Sequence, residues 1–532
     1  MSQVAAFPSL NYSSIRQYLL QGIEIAIVDL REEHIFAQGH PLFSTNVSLS
    51  RLEVEIYNRI PRLDTIVVIY DDGEGLVERA YPRLIELGYL QLYVLEGGLK
   101  GWQQQGGELF IDVNSASKAF GEWVEHFKHT PSLSAEEVQA KIDQKDNVVI
   151  VDARRYDEYN TMNIPTSISV PGAELVLRAP KLVKDENTTI IVNCAGRTRS
   201  IIGTQSLVNA KIGHEVYALR NGTIGWTLAN QGLEHGQTRR YEDFVDVSTF
   251  DEVAIQRAKA VADQAGVGYV TLDELRHFQA DIARTTYVFD VRSEAEYITG
   301  HLANSRWIAG GQLVQETDHY AATRGARIVL VDDHLARAYM TASWLAQMNW
   351  DVFVLQGDIK AHLTETGAWR PTTAKIEQDI PFIDAHQLNA TLETSFVIDV
   401  SALVHYKKGH IPSAHWALKA DLARIVQETD LSAYQQIVLT CRSSLLAQYG
   451  VADIQHLTHL PVKVLQGGTL AWQAIGLDLE QRPSILSEEI DRYKRPYEGT
   501  DNSREAMQAY LDWEFGLVDQ LKTDATHGFY VI

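Results

Sequence analysis

The residues best suited to nucleophilic chemistry in this chain are two cysteines, Cys194 and Cys441. Residues 190–200 read IIVNCAGRTRS, so Cys194 follows an apolar, strand-like run and opens a loop carrying Gly196, Arg197 and Arg199. A free cysteine ordinarily acts as a small buried hydrophobe. Two arginines and a glycine within five residues describe a different setting, an electropositive loop whose backbone approaches the sulfur, where a thiol ionises readily. An unperturbed thiol with a pKa near 8.5 is only about 3% thiolate at pH 7. Making thiolate the major form requires a downward shift of about two units, or about 2.7 kcal/mol. A helix N-terminus contributes about 0.3 to 1 kcal/mol and at best about 2. The remainder is expected from backbone N–H groups of the curled loop together with Arg197 and Arg199. Gly196 lets the backbone turn inward without a Cβ clash.

Such a loop needs a scaffold, and the chain repeats one four times. A short apolar strand ends in Asp in IVDLREEHIFAQGH, IVDARRYDEYNTMN, VFDVRSEAEYITGH and VIDVSALVHYKKGH, at Asp29, Asp152, Asp290 and Asp399. A second apolar strand follows in each copy, and the residue just after it is Asp71, Cys194, Asp332 or Cys441, always 42 residues beyond the first Asp. Each copy closes on a third strand and a turn into a helix, as YVLEGGLKGW, YALRNGTIGW, FVLQGDIKAH and KVLQGGTLAW. Short apolar strands alternating with helical patterns predict an α/β unit with a largely parallel, buried sheet. Ligand sites in such sheets lie off the carboxyl ends of strands, which is where Cys194 falls. Asp152 and Arg154 are expected to support the strand end structurally. Trp102, Trp226 and Trp472 are expected in the core.

At 532 residues with a net charge of −22, the chain is too long for one core and too acidic to favour nucleic acid or an anionic membrane. Two cysteines give no disulfide framework, which fits a reducing compartment. The opening MSQVAAFPSL lacks the charged and long apolar regions of a secretion signal, and no stretch approaches 18 uninterrupted apolar residues. A soluble, cytoplasmic protein is the expectation.

The motifs together, an Asp-x-Arg strand end, a cysteine-initiated loop and a Gly-Gly-x-x-x-Trp-like close, resemble the rhodanese (sulfurtransferase) family. The resemblance implies four tandem rhodanese-like domains, each a largely parallel central sheet flanked by helices, over residues 8–108, 131–235, 266–370 and 380–480. Residues 109–130 and 236–265 read as helical linkers. Residues 481–532 read as a helical tail that docks on a domain, with Met507, Tyr510, Leu511, Phe515 and Val518 on one side. Asp71 and Asp332 make the first and third copies unable to carry a persulfide. The fourth has Cys441 in a loop, CRSSLLA, with no glycine and one basic residue, and ranks as a secondary site. The second copy departs from the family's Gly-His-Ile segment with Met162, Asn163 and Ile164.

Similarity to the family implies transfer of a sulfane sulfur from thiosulfate, or a similar small anionic donor, to cyanide or a thiol acceptor through a Cys194 persulfide. Sulfur-carrier proteins are candidate partners, and no cofactor or metal is implied. The loop Ala195, Gly196, Arg197, Thr198, Arg199 and Ser200 would line the substrate, with the two arginines on sulfonate oxygens. The alternative is that one of them, Arg199 above all, pairs with an acid on the neighbouring domain. Thr198 and Ser200 suit helix capping better than proton donation. The acidic first copy, with Asp71, Asp72 and Glu74, is expected to offer carboxylates to Arg197 or Arg199. Two other readings compete: a scaffold for sulfur-carrier partners, and a phosphatase or arsenate reductase. Phosphatases of similar fold place arginine six positions after the cysteine, where this chain has Ser200.

Overall fold

The computed structural model describes residues 7–246, 251–376 and 379–532. The reading of the first residues as lacking a signal, and part of the 236–265 linker, lie outside them. Four five-stranded sheets follow one another along the chain, all with the same strand order, 1-5-4-2-3, and parallel pairing. The central strands, such as Ile25–Asp29 and Ser395–Asp399, are buried along their whole length. A strand covered on both faces has to be apolar throughout rather than alternating, and these runs of valine and isoleucine meet that requirement.

In the second sheet the strands are β1 (Ser132–Leu133), β2 (Val148–Asp152), β3 (Ile168–Ser169), β4 (Thr189–Asn193) and β5 (Val216–Leu219). The register pairs Asp152 with Asn193 across β2 and β4. Its counterparts pair Asp29 with Tyr70, Asp290 with Val331 and Asp399 with Thr440. Each Asp thus stands opposite the residue that precedes its loop, which is the structural origin of the constant 42-residue interval. Trp102, Trp226 and Trp472 are buried, and each indole N–H donates to a carbonyl six residues on.

The helices that position the second loop are α1 (Ser115–Lys128), α2 (Tyr156–Thr161), α3 (Thr198–Asn209), α4 (Gly222–Leu228) and the tail helix α5 (Arg504–Asp524). One apolar core runs through Phe43 of the first copy, Phe110 and α1 of the segment after it, the second and third copies, and Leu517, Leu521 and Phe529 of the tail. The repeats are therefore fused around a shared core, whereas most of the fourth copy's apolar residues form clusters of their own. Burying apolar area at roughly 25 cal/mol per Å² makes such a shared interior a strong tie. No helix among the described residues is long and apolar enough to cross a membrane.

Candidate active site

Cys194 begins the turn from β4 into α3 and is 1% exposed. The strand ends around it are tied together. Arg154 Nε and Nη2 donate to the two oxygens of Asp152 at 2.9 and 2.8 Å, and Nη2 also donates to the Met162 carbonyl at 2.7 Å. Asn193 Nδ2 donates to Asp152 Oδ2 at 2.7 Å. The residue before the cysteine is thereby locked to the neighbouring strand. From below, α4 holds the loop: the Thr223 N–H donates to the Cys194 carbonyl at 2.9 Å and the Ile224 N–H to the Ala195 carbonyl at 3.0 Å.

The four copies reveal what the turn is built to hold. In the first, Asp71 accepts from the N–H groups of Gly73, Leu76 and Val77 at 3.0, 2.6 and 3.1 Å. In the third, Asp332 accepts from His334, Arg337 and Ala338 at 3.1, 3.0 and 3.2 Å. The donors sit two, five and six positions after the loop start in both. At Cys441 the N–H groups of the same three positions, Ser443, Leu446 and Ala447, favour the thiolate. At Cys194 the N–H of Ser200, six positions on, likewise favours the thiolate. Successive N–H groups at a helix start form an anion cradle. In two copies a built-in carboxylate fills it, and in two a sulfur does.

The loop arginines are both committed to acids, which departs from the expectation that the two lie on sulfonate oxygens. Arg197 Nε and Nη2 donate to both oxygens of Glu122 on α1 at 2.6 and 2.8 Å, and Nη1 to Asn221 Oδ1 at 3.1 Å. The Phe515 ring lies over its guanidinium at 4.4 Å. Arg199 Nη1 and Nη2 donate to Glu158 of α2 at 2.7 and 2.9 Å. The acids that reach the loop thus come from the linker helix and from the second copy itself. Asp71 instead caps its own loop. Thr198 and Ser200 do not act as caps: Arg197 occupies the cap position without a side-chain bond, the Thr198 hydroxyl is buried without a partner, and Ser200 Oγ donates back to the Arg197 carbonyl at 2.9 Å.

The Cys194 thiol is pushed up, not down: burial is the dominant cause, and Arg199 and Ser200 only oppose it. Desolvation outweighs a cation whose charge is already shared with Glu158. The tail helix α5 covers the same loop. A Cβ built on Gly196 would lie 3.1 Å from Tyr510 Cε1 and 3.5 Å from Glu514 Oε2, so the tail helix rests directly on the loop. Its buried face is Tyr510, Leu511, Glu514, Leu517 and Leu521, while Phe515 is half-exposed and Val518 only partly buried. The expected face is met at Tyr510 and Leu511, but it turns toward Leu517 and Leu521 and has Glu514 at its centre. Beyond the loop lies a cavity of about 910 Å³, with Arg199, Met162, Lys408, Arg495 and Tyr497 among its walls. A smaller one of about 240 Å³ shares Met162 and Tyr497 and touches Thr223 and Ile224. At the fourth copy, burial likewise pushes the Cys441 thiol up.

Comparison with known proteins follows the same lines. The model of the rhodanese-like domain matches residues 16–105, 134–229, 271–365 and 384–475. The solved structure of thiosulfate sulfurtransferase from Pseudomonas aeruginosa is 55% identical, covers 99% of this chain and 100% of its own, and superposes with a TM-score of 0.95. Among curated relatives, "HTH-type transcriptional regulator Rv0324" of Mycobacterium tuberculosis is 32% identical over 89 residues, covering 17% of this chain. "Putative sulfur carrier protein YrkF" of Bacillus subtilis is 26% identical over 121 residues, covering 20% of this chain. These matches span 38% and 62% of the two relatives' own lengths. Four family matches covering most of the chain, on four sheets of one topology, place it in the rhodanese-like domain family.

Proposed function

We propose that the chain is a thiosulfate sulfurtransferase that works through Cys194. The observation carrying this reading is the cradle itself: at Cys194 a sulfur stands where Asp71 and Asp332 place a carboxylate, and the loop alone among the four combines that sulfur with Gly196 and two arginines. The likeness to the Pseudomonas enzyme over the full chain supports the same reaction. The Cys194 thiolate attacks the outer sulfur of thiosulfate, a new S–S bond forms, the old one breaks, and its electron pair leaves with sulfite. The persulfide anion then rests on the N–H groups of the loop. Cyanide or a thiolate attacks the outer sulfur and carries it away, and the Cys194 thiolate is regenerated.

Both arginines act on this chemistry from paired positions. Their bidentate bonds to Glu122 and Glu158 fix the shape of the loop, and Arg199 supplies a field felt at the sulfur. The 910 Å³ cavity is far larger than thiosulfate needs, which suits an acceptor thiol delivered by a larger molecule, a sulfur-carrier protein among them. A reducing, cytoplasmic setting suits two free cysteines. Mass spectrometry after incubation with thiosulfate tests the reading. A gain of about 32 Da, one sulfur, is expected on the peptide holding Cys194 and is lost in Cys194→Ser. Equal sulfur transfer by Cys194→Ser overturns it.

A further inference from the structure

Glu514 belongs to none of the four repeats, yet α5 lays it on the Cys194 loop. Its Oε1 accepts the Tyr510 hydroxyl at 2.8 Å, while Oε2 is fully buried, has no hydrogen-bond partner and faces the position of a Gly196 Cβ at 3.5 Å. The helix is a fixed roof rather than a loose flap. Arg504 at its start donates to the Thr227 and Leu228 carbonyls at 2.9 and 2.6 Å, and Gln520 to the Leu109 carbonyl at 2.9 Å. Beyond its end, the Tyr530 hydroxyl donates to the Ala265 carbonyl at 2.7 Å. With Arg197 and Arg199 engaged by Glu122 and Glu158, an incoming anion meets the loop N–H groups and this unpartnered carboxyl oxygen.

We propose that Glu514 selects the sulfur donor at Cys194: as a neutral acid it donates a hydrogen bond to an oxygen of an anionic donor, and as a carboxylate it excludes that anion. This rests on the reading of Cys194 as the sulfur-accepting nucleophile. A carboxylate facing thiosulfate in a desolvated site would set like charges against each other, whereas a protonated carboxyl presents an O–H donor at the same place. Burial and the neighbouring Glu122 favour the neutral form of Glu514 over the pull of the cations beside it. Lys118 and Glu122 face it from α1, Arg197 and Cys194 from the loop, and Tyr510 from its own helix. Burial, with Glu122 adding to it and Lys118, Tyr510 and Arg197 opposing, lifts its pKa to about 8. Donor binding is therefore complete at neutral pH and is lost as pH rises through that value.

The test follows sulfite release by the full chain in the absence of an acceptor, from about pH 6 to 10, as a function of thiosulfate concentration. In the wild type, the half-saturating concentration is expected to stay flat to about pH 7.5 and then rise about tenfold per pH unit above 8. Glu514→Gln keeps a neutral donor at all pH values and is expected to hold it flat throughout. A variant that follows the wild-type rise, or a wild type without one, overturns the proposal. Iodoacetamide gives a second readout that needs no variant. Because this probe is uncharged, the ratio of thiosulfate to iodoacetamide reactivity at Cys194 is expected to fall about tenfold per pH unit above 8, and a constant ratio overturns the proposal. Sulfite release by Cys194→Ser would instead overturn the sulfurtransferase reading. An inactive Cys194→Ser beside an unshifted Glu514→Gln profile removes only the role of Glu514.

Discussion

Replacing Glu122 with Ala tests whether the linker helix holds the active-site loop. The Arg197–Glu122 pair is bidentate, at 2.6 and 2.8 Å, and its side chains are 9% and 5% exposed. Removing the carboxylate leaves Arg197 hydrogen-bonded to Asn221 alone, with the Phe515 ring beside it and Glu514 and Glu125 as its nearest remaining acids. Breaking a buried pair in this way typically costs about 3 to 5 kcal/mol, because a charge is stranded out of water. At about 1.4 kcal/mol per factor of ten, local opening should become about two to three and a half orders of magnitude more frequent. A chain of several fused units does not unfold in one step, so the assay has to be local. Amide hydrogen exchange of the peptides spanning 115–128 and 194–209 reads the opening directly. The double variant Glu122→Ala with Arg197→Ala removes both charges and should exchange more slowly than Glu122→Ala alone. A change below about threefold in the single variant, or a double variant whose effects simply add, refutes the argument that a stranded charge is the cause.

Three further outcomes follow from the same structure. Cys441→Ser should keep most thiosulfate-to-cyanide activity, since its loop lacks the glycine and second arginine of the Cys194 loop; a loss equal to that of Cys194→Ser would show a relay between the two sulfurs. Burial raises the Glu158 carboxyl, but Arg199, with Arg154 and Arg155, overrides it and holds it at about 2. Its folded value lies below the unfolded value of about 4.3, so the pair stabilises the fold above that pH and the contribution is lost as pH falls toward 2. Thermal melts of Glu158→Gln should accordingly fall below wild type at pH 7 and converge with it near pH 2; a constant difference counts against the pair. A fragment of residues 126–240 lacks both Glu122 and α5, and should be poorly soluble and weakly active by gel filtration and sulfur-transfer assay. Full activity in a clean monomer would show that neither the linker nor the roof matters.

The repeat, the parallel sheets and the position of Cys194 off a strand end were legible in the sequence because each rests on local order. A buried parallel strand has to be apolar throughout, and the Asp opposite each loop start has to keep its register, so composition and a 42-residue interval carry the information directly. The cradle was legible too, as a glycine and helix start behind a cysteine. The electrostatics of that cradle were not. Whether two arginines lower a thiol pKa depends on what else they touch, and Glu122 comes from a helix 75 residues before Arg197. Glu514 comes from a helix outside the repeats, and no local pattern links it to Gly196. Helical periodicity found Tyr510 and Leu511 on the tail's inner face but not Glu514, which stands among them bonded to Tyr510 and facing long-range neighbours. Hydrophobic burial is summed along the chain and can be read from it. The field at a buried sulfur is summed over groups that only folding brings within a few ångströms, because in a desolvated site each such charge acts with little screening by water.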